Sequence, residues 1–403
     1  MMGSLDKTVR YGSSLRTRAV AETLVHARRI GREVGIVRVT DTTRLDRIGY
    51  PVYASVRPTA HHASLHVSAG KGQTPPEAEV GAWMEGIELA YAEPERACVK
   101  LVRAPAGEVL DGQLDRLPRL AGQAAPDPRA SLVCVEAEDL ARGTTCLVPA
   151  ELALYPAPRA IVGPSIFGSD GNGLASGNSL DEATAHGLAE VMERDVLAFH
   201  YTRNRARRVP PETLPPAQRA LAEHLDALGF DLVVQTEANP FGLAWFKALL
   251  AERQARNALH VGYGTSPLAE IALTRAVCEA IQSRLTVIHG ARDDLKPFLP
   301  HGARARDQVP ARVLQAELDD PHTLPFAEVP DAPVADVDAA LALLVARAQA
   351  AGFERVLRVR LTPPELPLQV VKVVVPGLEL IAPPIDRVGP RLAAFRAEAR
   401  CTS

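Results

Sequence analysis

Three segments of the chain repeat one arrangement of carboxylates. Glu77 to Glu88 reads EAEVGAWMEGIE, Glu182 to Glu193 reads EATAHGLAEVME, and Ile271 to Gln282 reads IALTRAVCEAIQ. They align without a gap as Ala78/Glu85/Glu88, Ala183/Glu190/Glu193 and Ala272/Glu279/Gln282, and two copies also place Glu directly before the Ala. On a helix, positions three or four apart share a face, and a position eleven away returns to within about 20° of the start. Glu182, Glu190 and Glu193 therefore share a face, as do Arg275, Glu279 and Gln282. Taken singly, each copy reads as solvent-facing i,i+3 and i,i+4 pairs, the ordinary decoration of an exposed helix. Repetition argues for more. A surface has no reason to set the same acidic pair beside the same small residue three times, whereas a site assembled from three facing helices does.

Carboxylates that face one another in a cleft repel unless cations sit between them. An all-oxygen donor set points to Mg²⁺ or Ca²⁺, and Mg²⁺ completes its octahedron with phosphate and water. Arg194 directly follows Glu193, and Arg275 and Arg284 flank Glu279. Guanidiniums grip phosphate through paired N–H groups, so acid and base together describe a Mg-nucleotide site. Glycine-rich turns are expected before two of the helices, SAGKGQT at 68–74 and SDGNGLASGNSLDE at 169–182. Such turns let backbone N–H groups approach phosphate, or else serve as N-capping loops with Gly chosen for φ > 0. The first is not a Walker A loop, because Gly72 stands where that motif needs Ser or Thr after the lysine.

The elements that must position these groups follow from periodicity. Residues 16–31 (RTRAVAETLVHARRIG) predict a helix with Gly31 as its C-cap, and strands are expected over 34–39 and 52–56. Pro, Gly and Asp content predicts a long surface loop over 105–130, a candidate lobe connection with one short helix, and further connections at 301–310 and 330–335. A helix over 337–351 and strands over 356–361 and 370–375 close the pattern. Mixed strands and helices imply an α/β or α+β architecture, with strand order unreadable.

Composition narrows the classes. The 403 residues are 47% hydrophobic, enough for a large core as one domain or two coupled lobes. A net charge of -3 provides no phosphate-binding footprint for nucleic acid, and the basic run RNRARR at 203–208 reads as a solvated helix end. With no signal-peptide h-region and no apolar run of roughly 20 residues, a cytoplasmic address away from membranes is expected. The five cysteines are odd in number and lack a CxxC pair, so they read as core thiols rather than disulfides or zinc ligands.

The stretches SAGKG…EVGAWMEGIE, GSDGNGLASGNSLDEATAHGLAEVMERD and ALTRAVCEAIQSR resemble the YcaO family in order and spacing, across most of the chain. That resemblance implies a YcaO-type ATP-binding fold with mixed sheets, ATP and Mg²⁺ as cofactors, a catalytic domain over 63–390 behind an N-terminal segment 1–62, and a tail 391–403. Carried over by position, Glu85, Glu88, Glu182, Glu190, Glu193, Arg194, Arg275 and Glu279 would bind nucleotide and metal. Ser68, Lys71, Asn178 and Gln282 would join the nucleotide set. Glu88, Glu190, Glu193 and Glu279 would be the metal ligands, and Glu190, Glu193, Glu279 and Arg275 the catalytic group. One departure is Gly81, where members often have Ser. The opening RYGSSLRTRAVAETL also looks like the family's, with Arg10 or Arg16 as the basic residue that reaches the nucleotide.

By the same resemblance, the reaction activates a backbone amide of a ribosomal precursor peptide: the amide oxygen attacks the γ-phosphate and a nucleophile then displaces phosphate. No protein nucleophile is needed, so the cysteines, His186, His61, His62 and His66 read as structural. TDTTRLDRIGYPVYASVRP and VKVVVPGLE look like the branch encoded beside TfuA-type partners, which points to thioamidation with a sulfide donor. A cyclodehydratase that forms azolines is the alternative, although the chain ends RLAAFRAEARCTS, without a PxPxP tail, and its nearest prolines are Pro383, Pro384 and Pro390. Without a fused leader-binding domain, a separate protein or another surface would recognise the peptide, and a homodimer is implied. Two other classes stay open, a non-catalytic accessory protein on the same scaffold and a small-molecule ligase releasing AMP.

Overall fold

The computed structural model describes residues 8–254, 258–292, 308–381 and 387–401. Positions 301–307 of one expected connection and the proline pair Pro383–Pro384 lie outside them.

The chain opens with a hairpin of β1 (Val9–Arg10) and β2 (Leu15–Arg16), then α1 (Val20–Glu33). Strands β3 (Arg38–Asp41), β4 (Val52–Val56) and β5 (Val67–Lys71) form an antiparallel sheet in that order, and α2 (Pro75–Ala92) packs on it. Next come β6 (Val102–Pro105), β7 (Arg119–Leu120), β8 (Ser131–Asp139), β9 (Thr144–Pro149) and the short helices α3 (Ala150–Ala153) and α4 (Arg159–Val162). Strand β10 (Leu174–Gly177) leads into α5 (Leu180–Thr202). After β11 (Arg207–Arg208) and α6 (Pro216–Ala227) come β12 (Phe230–Thr236), β13 (Ala244–Glu252), β14 (Leu259–Ser266) and α7 (Ala269–His289). The last elements are α8 (Gln308–Asp319), α9 (Val337–Ala350), β15 (Leu357–Arg360), β16 (Gln369–Val374), β17 (Arg387–Val388) and α10 (Pro390–Cys401).

A six-stranded sheet runs β10-β16-β15-β8-β6 with β9 on β8, and a four-stranded one runs β11-β12-β13-β14; β17 pairs with β7. The fold is mixed α/β, as expected. Each repeat helix lies on the strand that precedes it: α2 on β5, α5 on β10 and α7 on β14. A Cβ on Gly70 would sit 2.1 Å from the Ala78 carbonyl, one on Gly177 2.6 Å from the Ala183 nitrogen, and one on Gly264 2.0 Å from the Ala272 carbonyl. Only hydrogen at these positions, opposite Ala on the helix, lets backbone meet backbone. Ala recurs in the repeat for this reason.

Three expectations change. The glycine-rich segment before α2 is largely strand, not turn, because Gly70 serves close packing, whereas before α5 a turn at 171–173 with Gly173 at φ 74° precedes a strand over 174–177. Gly31 caps nothing; it is buried inside α1, where a Cβ would fall 2.4 Å from the Trp83 ring, and the helix ends at Glu33. The 105–130 stretch is not a surface loop, since Val109 and Leu110 are fully buried in the core beside Leu114 and the segment contains β7.

Candidate active site

Two of the repeat helices start with a capping box. Ser179 Oγ accepts from the Glu182 backbone N–H at 3.1 Å, and Thr74 Oγ1 does so from Glu77 at 3.4 Å. The Glu before the repeated Ala is thus the third residue of each helix, and both side chains tie down the N-terminal hairpin. Ser13 Oγ donates to Glu77 at 2.7 Å. Glu182 is 3% exposed and accepts from Arg16 at 3.0 Å, from the Thr17 N–H and hydroxyl at 2.8 Å, and from Asn178 at 3.2 Å. Burial would raise the Glu182 carboxyl, yet Arg16 and the Thr17 donors hold it below its ordinary range. The third helix lacks a cap of its own, and Asp331 Oδ1 accepts from the Ala269 N–H at 2.8 Å instead.

The helices converge on a cavity of about 560 Å³. Its walls include Glu85 and Glu88 from α2, Glu190 and Glu193 from α5, and Glu279 and Gln282 from α7. Lys71, Asn178, Glu182, Arg194 and Arg275 line it too. Predicted residues more than 200 positions apart therefore share one wall. Lys71 Nζ donates to Glu279 at 2.9 Å, and Gln282 Nε2 to the Ala69 carbonyl at 2.6 Å, stitching β5 to α7. Backbone N–H groups meet two of the acids: Ala69 donates to Glu85 at 2.9 Å and Gly173 to Glu190 at 3.0 Å.

The electrostatics are unbalanced. Burial, then the charges of Glu190 and Glu85, push the Glu88 carboxyl well above its usual range. Burial and the facing Glu279 push Glu193 up to about 7. Glu279 goes the other way: burial opposes it, but the ammonium of Lys71 and then Arg194 hold it low. Close carboxylates whose like charges raise one another's pKa are a place for a cation. Among the described residues, Arg194 Nε is buried without a hydrogen-bond partner although it lines this cavity. An oxygen donor set with an unsatisfied guanidinium beside it fits Mg²⁺ and phosphate. Among those residues no three His, Cys, Asp or Glu side chains form a cage for a metal ion, so Mg²⁺ there needs phosphate and water to complete its shell.

Several placements depart from the sequence reading. Ser68 is buried and does not line the cavity; strand alternation sends it and Gly70 toward α2 while Lys71 faces the acids. Arg284, about 140° round the helix from Glu279, bonds Asp46 at 2.8 Å and Glu252 at 3.1 Å instead. Of the two N-terminal candidates, Arg16 lines the cavity, whereas Arg10 is exposed and 3.7 Å from Glu270. Gly81 does line it, and a Cβ there would come 3.2 Å from Gly70 Cα, so a side chain would crowd the strand.

Sequence reasoning missed Arg18, Arg292 and Ser176 on the same wall, since none belongs to a repeated motif. The GYG of β14, with Gly264 against α7 as Gly70 is against α2, was a legible signal for the third strand. Cys278 also lines the cavity, but burial pushes its thiol up to about 11 and it donates to Tyr50, so it is a poor nucleophile.

With this geometry in place, comparisons with known proteins are informative. A family model described as YcaO cyclodehydratase, ATP- and Mg²⁺-binding, matches residues 69–379. An uncharacterised protein of Methanothermobacter thermautotrophicus is 33% identical over 369 residues, covering 89% of this chain and 94% of that protein. A Rhizobium leguminosarum bv. trifolii protein described as lying in the tfuA 3' region is 31% identical over 401 residues, covering 94% of this chain and 93% of that one. Among solved structures, YcaO from Methanopyrus kandleri bound with AMPPCP and Mg²⁺ superposes with a TM-score of 0.73 at 25% identity, covering 92% of this chain and 94% of that one. The three repeat helices all fall within the matched span, and the protein accordingly belongs to the YcaO family of ATP- and Mg²⁺-binding proteins.

Proposed function

We propose that this protein activates a backbone amide of a ribosomally made peptide by O-phosphorylation and that sulfide then replaces the oxygen, giving a thioamide. One observation carries the reading: five carboxylates from three helices and the cations Lys71, Arg194 and Arg275 surround a single cavity in which like-charge neighbours and burial push Glu88 and Glu193 above their ordinary range. Bound there, ATP and Mg²⁺ supply the γ-phosphoryl group and the neutralising charge for its transfer. Glu88, Glu190, Glu193 and Glu279 hold the metal side, with Glu85 and Gln282 behind them. Arg194, whose Nε lies 3.7 Å from Glu193 without a hydrogen bond, and Arg275 hold phosphate. Lys71 keeps Glu279 ionised, and Arg16, fixed by Glu182, closes the nucleotide end. Positioning and charge neutralisation do the catalytic work, without a protein nucleophile.

The sulfide choice is supported by the Rhizobium relative described as lying in the tfuA 3' region; a TfuA-type protein and a sulfide donor are its partners. Azoline formation is the second reading, favoured by the cyclodehydratase description of the family model. Reconstitution with a peptide encoded beside the gene, ATP and sulfide separates them: a gain of about 16 Da marks sulfur for oxygen, a loss of about 18 Da a ring. ADP and phosphate are expected, and AMP with pyrophosphate would refute amide phosphorylation.

A further inference from the structure

Beside the nucleotide cavity lies a second void of about 60 Å³. Ser14, Arg16, Glu182, His186 and Arg275 line both, so the two adjoin along that side. Its remaining walls are mainly apolar, including Ile271, Ala340 and Leu344. Two hydroxyls break this pattern: Ser266 accepts from the Leu268 N–H at 3.2 Å, whereas Thr265 is 2% exposed and its hydroxyl has no hydrogen-bond partner among the described residues. A buried hydroxyl left unsatisfied is destabilising, so a ligand that accepts from it is favoured there. Arg275 adds N–H donors and positive charge. Its NH2 lies 3.2 Å from His186 Nε2, which accepts, and burial and Arg275 keep that imidazole neutral. The carboxylate that also lines the void, Glu182, is already paired with Arg16 at 3.0 Å, so the charge of Arg275 is not cancelled on this side.

The void suits a group of one or two heavy atoms, anionic, tolerant of hydrocarbon walls and able to accept from a hydroxyl and a guanidinium. We propose that it is the waiting site of the sulfur nucleophile, a hydrosulfide ion, held by Thr265 and Arg275 next to the activated amide. The proposal rests on the thioamide reading above. From this site the sulfur forms a C–S bond at the carbonyl carbon of the phosphorylated amide. The C–O bond then breaks, its electron pair leaving with phosphate, and phosphate takes the S–H proton. Amide, ATP and HS⁻ thus become thioamide, ADP and hydrogen phosphate, with no change of oxidation state.

Two variants test it outside the nucleotide machinery. Thr265→Val keeps the shape and removes the donor, while Ala340→Leu fills the void from α9. In the reconstituted reaction each should raise the KM for sulfide roughly tenfold, the size of one lost hydrogen bond to an anion, and leave the KM for ATP unchanged. Independently, crystals of the wild type soaked in bromide should show anomalous density between Thr265 and Arg275, and crystals of Ala340→Leu should not. Unchanged sulfide KM in both variants, or no bromide in the wild-type void, overturns the site. A wild type that only loses about 18 Da instead refutes the thioamide reading, and bromide binding still reports on the void.

Discussion

Two clusters of buried ionisable groups share α5, one at its middle and one at its C-terminal end, and they are built on opposite terms. Past its C-terminal half, His200 Nδ1 meets Glu237 at 2.8 Å, Lys247 Nζ meets His200 Nε2 at 3.2 Å and Glu317 at 3.4 Å, and Asn204 and Gln235 also donate to Glu317. Each charge there has its partner within the protein. At the cavity between the repeat helices, Glu88 and Glu193 face other carboxylates and are driven toward their protonated forms although Arg194 lies 3.7 Å from Glu193. A paired cluster is consistent with holding β13, α5 and α8 together, whereas an unpaired one stores repulsion that a cation can relieve. Burial alone does not distinguish structure from function; charge balance does.

The widest separation between the clusters is in activity. Glu193→Gln and Glu279→Gln should each lower peptide-stimulated phosphate release roughly a hundredfold or more, while ligand-free Glu193→Gln melts no lower than wild type because repulsion is relieved. Unaffected phosphate release in either variant would break the comparison. Next in size is stability at the paired cluster. Lys247→Met leaves Glu317 without its cation and should cost about 3 kcal/mol by denaturant unfolding, much of it recovered by adding Glu317→Gln. Equal losses in the single and double variants would show that the pair is not what stabilises the region.

The smallest effect is in pH dependence. Glu193 keeps its proton in the folded state up to about 7, against an ordinary value of 4.5 for the unfolded chain. Between those values the folded state binds the extra proton, so its contribution to stability is present at acid pH and is lost as pH rises toward 7. Melting curves of ligand-free protein should therefore fall less steeply across that window in Glu193→Gln than in wild type. Parallel curves would mean Glu193 is already ionised.

Much of this was legible in the chain. The Ala and Glu spacing found all three helices, and the strands over 52–56 and near 357–360 and 369–374 follow apolar runs of β-branched residues. Gly31 and the 68–74 segment misled because glycine in a strand or helix interior looks like punctuation; its reason here is the neighbour it touches, Trp83 or α2, which lies outside any local window. Arg284 misled because nearness to Glu279 in sequence is not nearness on a helix.

The repeat by itself determined that acids from three helices share a small-residue seam, since helical period and Ala size are local properties. Tertiary structure alone decided which acids are balanced. Glu182 is taken by Arg16 and Asn178, Glu279 by Lys71 from a strand 208 residues away, and Glu88 and Glu193 are left facing like charges. The reason is that electrostatic partnership depends on distance in space, and folding, not sequence order, sets that distance.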